Sequence, residues 1–349
     1  MNQNSSFPFV TVILPVRNEA TYLRASLDSV LHQDYPQERM EILIADGMST
    51  DGTRAIVQEY QKRFDNIYLL DNPGKIVPTG MNLALRRAKG EFIVRVDGHC
   101  VIESNYVSLC IKYLTTNDVD GVGGPMQSIG GSLIAKSIAI AMSSIFGVGN
   151  SAFRTITGKT KLVDSIPFPA YTASIIKKAG LYDEELVRNQ DDEYNYRIRN
   201  LGGKLLLAKD ICSRYYSRGS FLKLWKQYYQ YGFYKVRVLQ KHPRQMSLRQ
   251  FIPPLFVLSL MVALACSLIF SWGWIVLTAV AGIYLLANLS ASLITSISKG
   301  MRFFPYLPLA YAILHLSYGL GFLAGLVRFW NRWSDKEGKV PKFEGLIRN

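Results

Sequence analysis

Residues 91–102 read EFIVRVDGHCVI, and within them Asp97 and His99 are the side chains able to do chemistry. An apolar run rich in Val and Ile, bounded by Gly90 and closed by an Asp-Gly pair, predicts a buried strand that stops at Asp97. A carboxylate thus stands at a strand tip, and His99, two residues on, points the same way along an extended chain. A second concentration of acids, Asp191, Asp192 and Glu193, lies in RNQDDEYNYRIRN. Tyr194, Ile198 and Leu201 recur there at helical spacing. The acids therefore occupy a first helical turn, where they either face a cleft or cap the helix.

These side chains need elements to position them. FVTVILPV (9–16), MEILIAD (40–46) and NIYLLDN (66–72) predict three further strands. Helices are expected from about Glu19 to His32, through Tyr60 after the GMSTDGT turn, and from Pro78 to Ala88. Strands alternating with helices predict an α/β fold with a mostly parallel central sheet, whose ligands sit at the carboxyl ends of the strands. Asn18, Asp46, Asn72 and Asp97 all fall at such ends, although turn chemistry alone also favours Asn and Asp there. A dinucleotide fold is disfavoured: no GxGxxG follows the first strand, and VGGP at 122–125 lacks the spacing.

The chain has 349 residues, 49% of them apolar, and its mean hydropathy of +0.09 is high for a wholly soluble protein. The excess lies in FIPPLFVLSLMVALACSLIF, WIVLTAVAGIYLLANLSASLITSI and FFPYLPLAYAILHLSYGLGFLAGLV, each long enough to cross a bilayer as a helix. The net charge of +14 is also local: from Arg197 to Arg249, Arg218 among them, 13 basic residues meet one acid, Asp210. The block ends where the first apolar stretch begins. Anionic headgroups and the positive-inside rule therefore explain it, and no nucleic-acid partner is expected. Four cysteines without metal spacing fit a reducing compartment, and MNQNSSFPFVTVILPV indicates no secretory signal. The expected organisation is a cytoplasmic domain over 1–249, a transmembrane region with about three apolar segments over 250–330, and a basic tail over 331–349. The shorter apolar stretch at 132–148 contains Lys136 and is expected to be an interfacial or buried helix, not a span.

Four motifs, in this order, resemble the family 2 glycosyltransferases, which use nucleotide sugars on a nucleotide-binding α/β fold called GT-A. VTVILPVRNE resembles the first-strand turn that holds the nucleotide, here with Pro15, Asn18 and Glu19. ILIADGMSTDGT resembles the turn whose leading Asp, Asp46 followed by Gly47, contacts the base. PGKIVPTGMNLALRRAKGEFIVRVDGH resembles the stretch that runs through a Lys, Lys75, to the metal-binding Asp-x-Asp, with Asp97 as its first acid and His99 in place of its second. NQDDEYNYRIRNLGGK resembles the Glu-Asp element that carries the catalytic base. Asp191 matches that Asp, while Gln190 stands where the Glu is usual and removes one neighbouring charge. The resemblance covers about residues 8–240, with 8–125 as the nucleotide-sugar half and 126–249 as the acceptor half. The Asp-Gly-His triplet, FGVGNSAFR at 146–154 and YxxYG at 228–232 are similar to membrane-attached enzymes of bacterial exopolysaccharide assembly of the succinoglycan kind. QYYQY (227–231) resembles an element that closes over the diphosphate: Gln227 is kept, and Gln230 and Tyr231 stand for its Arg and Trp. Phosphate contact would then fall to Lys235, to Arg237 or to nothing, with Asp192 a further acceptor-side candidate. A second reading places the aromatic residues of this stretch at the membrane interface.

The resemblance implies an inverting, metal-dependent glycosyltransferase in which Asp191 deprotonates an acceptor hydroxyl. A divalent cation, Mn²⁺ or Mg²⁺, held by Asp97 and His99 would take the leaving diphosphate. Imidazole suits Mn²⁺ better than Mg²⁺; His99 contacting the phosphate or capping the strand are the alternatives. The implied donor is a nucleoside-diphosphate sugar, a UDP-sugar foremost, and the acceptor a lipid-linked saccharide, with membrane lipids and other polysaccharide-assembly proteins as partners. The implied location is the inner (plasma) membrane, multi-pass, with the catalytic domain cytoplasmic. Transfer to polyprenyl phosphate is the enzymatic alternative, and a nucleotide-binding pseudo-enzyme that regulates or scaffolds is the alternative from another class. Topology stays open: Lys299 and Arg302 favour an inside loop after two spans, which would leave the tail from Arg328 to Arg348 outside after a third. Either the third stretch, broken by Pro305 and Pro308, is re-entrant, or the charge rule is overridden.

Overall fold

The computed structural model describes residues 7–149, 158–217 and 219–343. Arg218, Arg348 and positions 150–154 of the FGVGNSAFR segment lie outside the described residues. In chain order the elements are β1 (Val10–Val16), α1 (Leu23–Leu31), β2 (Met40–Asp46), α2 (Thr53–Gln61), β3 (Ile67–Asp71), α3 (Val77–Arg87), β4 (Phe92–Arg95), β5 (Cys100–Ile102), α4 (Tyr106–Thr116), β6 (Gly121–Gly123) and β7 (Met126–Ile129). They continue with α5 (Leu133–Met142), α6 (Ile145–Val148), β8 (Lys161–Leu162), β9 (Ala170–Thr172), α7 (Ala173–Ala179), α8 (Gln190–Asn200), β10 (Leu205–Leu207) and β11 (Ser213–Tyr216). Four long helices close the chain: α9 (Phe221–Lys241), α10 (Ile252–Ser267), α11 (Trp272–Lys299) and α12 (Leu307–Arg328). Two compact units result. One comprises Met1–Gln127, Ile156–Tyr216 and Gly338–Asn349; the other comprises Ser128–Thr155 and Ser217–Glu337.

The first unit is the expected α/β fold. Its large sheet has the order β3-β2-β1-β4-β9-β6-β10-β8. β3, β2, β1 and β4 are mutually parallel, whereas β9 runs antiparallel between β4 and β6. β1 and β2 are buried along their whole length because both faces of the sheet are covered, which is why they read as continuous apolar runs. The chain steps from β1 to β2 to β3 in one direction, and α3 then returns it to β4 on the other side of β1. A topological switch point thus opens between the carboxyl ends of β1 and β4, where α/β sheets bind ligands. The helix expected from Glu19 begins only at Leu23, because residues 19–22 form a turn stitched to the next loop. Leu201 does not join the buried stripe of α8. It follows the last helical turn and is 52% exposed, while Tyr194 and Ile198 are fully buried.

In the second unit α5 is only ten residues long, too short to cross a bilayer. Its Ile138, Ala141 and Met142 pack into one apolar cluster with Leu307, Ala310 and Leu314 of α12 and with Tyr228 of α9. Among the described residues three helices are long and apolar enough to span: Leu248–Ser267, Trp272–Lys299 and Leu307–Arg328.

Candidate active site

The turns after β1, β2 and β3 are held in backbone conformations that L side chains rarely adopt. Asn18, Met48 and Lys75 have φ of 55°, 56° and 61°. Such strain persists only where surrounding bonds impose it, and it concentrates at ligand sites. Here those bonds are visible. Asn18 accepts the Thr50 N–H at 2.8 Å and donates its own N–H to Ser49 Oγ at 2.8 Å. Glu19 N–H donates to Thr53 Oγ1 at 2.8 Å. The β1 and β2 turns are therefore one laced surface, and Arg17 extends it by donating to the Lys75 carbonyl at 3.3 Å. Gly47 lies in this weave, where an added Cβ would crowd the Arg17 side chain at 3.1 Å. Pro15 is different: it is buried inside β1 opposite Ala45, so it shapes the strand rather than lining a surface.

Asp46 is fully buried, and both of its oxygens are engaged. Ser49 Oγ donates to Oδ1 at 2.5 Å, and Arg54 donates to Oδ2 at 2.8 Å while also reaching Asp71 at 2.7 Å. Sequence reasoning did not single out Arg54 or Asp71. The available signal was a second acid at the end of β3, one residue before Asn72.

Asp97 lies just beyond β4, half-buried, and Arg95 grips both of its oxygens at 2.9 and 3.3 Å. Burial pushes the Asp97 carboxyl up, but the Arg95 charge, with smaller help from His99 and Arg188, holds it below its ordinary value of 3.8. Arg95 itself is raised despite its burial, first by Asp97 and next by Asp191. The charges of Asp97 and Asp191, distant in sequence, thus converge on one buried guanidinium. Arg95 was also overlooked, although a charged residue inside EFIVRVDG was a legible anomaly.

His99 pairs through Nδ1 with Glu19 Oε1 at 2.9 Å. This contact bridges the switch point, from the β1 turn to the β4 turn. Gly98 permits it, since a Cβ there would meet Val16 at 2.8 Å. A carboxylate holding one ring nitrogen leaves Nε2 as the atom for a metal or phosphate, the usual outer-shell arrangement of a ligating histidine. Among the described residues no three His, Cys, Asp or Glu side chains cluster to enclose a metal alone. The Asp97–His99 pair fits the alternative, in which one or two side chains hold the ion and substrate phosphates complete its shell.

On the acceptor side, Asp191 and Asp192 are half-buried in the first turn of α8, as expected, after Asn189 with φ 62°. Glu193 is instead 2% exposed and bound to Arg197 at 2.7 and 3.0 Å, a structural pair. Gln190 is 5% exposed, and its Oε1 has no hydrogen-bond partner among the described residues. Gln227, Gln230 and Tyr231 lie on α9 in the second unit, where Gln227 donates to the Tyr231 hydroxyl at 2.9 Å. Arg237 does not await a phosphate. It is fully buried, donating to Gln240 at 2.6 Å and to the Arg332 carbonyl at 3.2 Å.

The family model described as glycosyl transferase family 2 matches residues 11–183. The dolichyl N-acetyl-α-D-glucosaminyl phosphate 3-β-D-2,3-diacetamido-2,3-dideoxy-β-D-glucuronosyltransferase of Methanococcus voltae is 30% identical over 241 residues, 67% of this chain and 74% of the relative. The chain belongs to glycosyl transferase family 2. Its similarity to the succinoglycan biosynthesis protein ExoA of Rhizobium meliloti, 26% identical, extends over 92% of this chain and 96% of that one. A mannosyltransferase from Pyrobaculum calidifontis, solved with GDP-Man and Mn²⁺, superposes with a TM-score of 0.60 over 91% of this chain and 88% of its own, at 17% identity. That likeness shows the GT-A fold. The protein is thus a glycosyltransferase of family 2 whose relatives act in glycan biosynthesis.

Proposed function

We propose that this family 2 enzyme is an inverting transferase that moves a sugar from a nucleoside-diphosphate sugar, a UDP-sugar foremost, to a lipid-linked saccharide in bacterial polysaccharide assembly. The observation that supports the reading is that Arg95, which grips Asp97, is raised by the charges of both Asp97 and Asp191, as a donor-side and an acceptor-side carboxylate sharing one cleft would do. Residues 8–125 would serve the donor. The laced β1 and β2 turns and Lys75 receive the nucleotide, with Asp46 holding their geometry through Ser49 and Arg54. Asp97 and His99 would hold a divalent cation, Mn²⁺ or Mg²⁺, which when bound neutralises charge developing on the leaving diphosphate. Arg95 keeps Asp97 ionised, and Glu19 orients His99. Asp191 accepts the proton of the acceptor hydroxyl as its oxygen attacks the anomeric carbon from the face opposite the diphosphate.

A lipid-linked acceptor is supported by the three apolar helices and by the Methanococcus voltae relative, whose name makes a dolichyl-phosphate-linked sugar its acceptor. That name also favours a sugar hydroxyl over bare polyprenyl phosphate. The basic block before α10 supports a multi-pass protein of the plasma membrane with its catalytic unit in the cytoplasm. Incubating radiolabelled nucleotide sugars with the enzyme and native membrane lipid tests the reading. Label should enter the lipid phase only when a divalent cation is present, and the new glycosidic bond should have inverted configuration; retention of configuration or transfer in excess chelator refutes it.

A further inference from the structure

Residues that follow the apolar helices belong to the same unit as residues that precede them. Lys339 is bonded there from both sides: its carbonyl accepts the Glu184 N–H at 2.9 Å, and its own N–H donates to Asp183 Oδ1 at 2.9 Å. Asp183 is 1% exposed and also accepts the Glu185 N–H at 3.0 Å. The start of this loop is pinned as well. Asn82 of α3 holds the Tyr182 backbone at 2.7 and 2.9 Å, and the Tyr182 ring stacks on Tyr194 of α8 at 4.0 Å. The loop then runs through Arg188 to Asp191. Lys339 is therefore a brace on the segment that delivers the acceptor-side carboxylate.

A chain that leaves one unit and comes back to it on the same side crosses a membrane an even number of times. Among the described residues three helices could cross, so at least one does not. In the most apolar window of each, 22% is buried in the protein for the first, 11% for α11 and 50% for α12. α12 also lies along α9. A Cβ on Gly232 of α9 would sit 2.0 Å from the Tyr318 carbonyl, and one on Gly321 of α12 2.0 Å from the Tyr229 carbonyl. α9 carries Lys223, Lys226, Lys235, Arg237 and Lys241 and no acid, a composition that does not span hydrocarbon. Backbone-to-backbone packing keeps α12 beside it.

We propose that α10 and α11 form a two-span hairpin and that α12 stays on the catalytic side, returning the chain so that Lys339 braces the loop bearing Asp191. Lys299 and Arg302 then lie inside together with the basic tail, and the uncharged turn at 268–271 lies outside, which removes the charge conflict seen in the sequence. The brace rests on Asp191 being the base; the topology does not.

Labelling with a membrane-impermeant maleimide tests the topology, using intact cells and a chain in which Cys212 and Cys266 are Ser. Ser271→Cys should react from outside, whereas Arg302→Cys and Lys342→Cys should react only once the membrane is opened; reaction of Lys342→Cys in intact cells overturns the proposal. Kinetics test the brace. Lys339→Pro removes the N–H that Asp183 accepts, and kcat should fall by about ten-fold or more, since small misplacement of a reacting group is costly. The donor KM should change by less than about two-fold, because the β1–β4 turns are untouched. Lys339→Ala keeps the backbone bonds and should match the unsubstituted enzyme. An unchanged kcat in Lys339→Pro, or a loss confined to melting temperature, overturns the brace while leaving the transferase reading in place.

Discussion

Replacing Asp191 by Asn separates a general base from an ordinary acid at a helix start. Asp191 is the second residue of α8, where Asn189 makes no side-chain cap bond and Asp191 Oδ1 receives the Asp192 N–H at 2.9 Å. Asn retains that acceptor oxygen. The structural loss is one negative charge in the first turn, worth about 0.3–1 kcal/mol, with Asp192 and Glu193 still in place. A change of that size moves the melting temperature by no more than about 4 °C. Loss of a general base costs roughly 10²- to 10⁴-fold in rate, which at about 1.36 kcal/mol per factor of ten is roughly 3–5.5 kcal/mol of barrier. The kinetic effect therefore exceeds the structural one several-fold. Radiolabel transfer, calorimetry with the nucleoside diphosphate and a thermal melt measure the three quantities on one preparation. Asp191→Asn should bind nucleotide and melt almost normally while turnover collapses, and Asp192→Asn should be milder. Glu193→Gln should do the reverse, losing about 1–3 kcal/mol of stability with its charge-assisted bonds to Arg197 and keeping kcat. Near-normal transfer by Asp191→Asn refutes the assignment; if Asp192→Asn is the dead variant instead, the base is its neighbour.

His99→Asp should keep activity and shift metal preference from Mn²⁺ toward Mg²⁺, and His99→Ala should raise the metal concentration needed for half-maximal rate. Glu19→Gln, which weakens the hold on Nδ1, should fall between them, and metal titrations unchanged in all three would remove His99 from the coordination shell. Asp46→Ala frees Ser49 and Arg54 together, so affinity for donor and for free nucleoside diphosphate should drop by the same factor; full nucleotide affinity by calorimetry would mean the turn is not a binding surface. Asp97 has a folded pKa below its ordinary value of 3.8, so its contribution to stability is complete above that value and disappears as pH falls through the lower folded one. The stability gap between the unsubstituted enzyme and Asp97→Asn should therefore be constant at neutral pH and close only on acidification, as pH-dependent denaturant melts would show.

The strands β1 to β4, the helices between them and the polar residues at their carboxyl ends were legible in the sequence, because apolar periodicity and strand-end turns are local properties of the chain. The motif order also pointed to the family. Three features were decided only by tertiary structure. Arg95 grips Asp97 and also feels the charge of Asp191, a residue almost a hundred positions away, and no local pattern encodes that coupling. Glu193 looked equivalent to its two neighbours, yet helical rotation turns it into the protein and onto Arg197, a distinction made by packing. The apolar helices looked alike as three spans. Length and composition measure only whether a helix tolerates lipid, and lipid tolerance is equally satisfied by protein: α9 and α5 cover α12, and the bonds at Lys339 return the tail to the catalytic unit. The sequence set which segments must leave water, and the fold adds that α12 has half of its apolar stretch buried in protein while α11 has little.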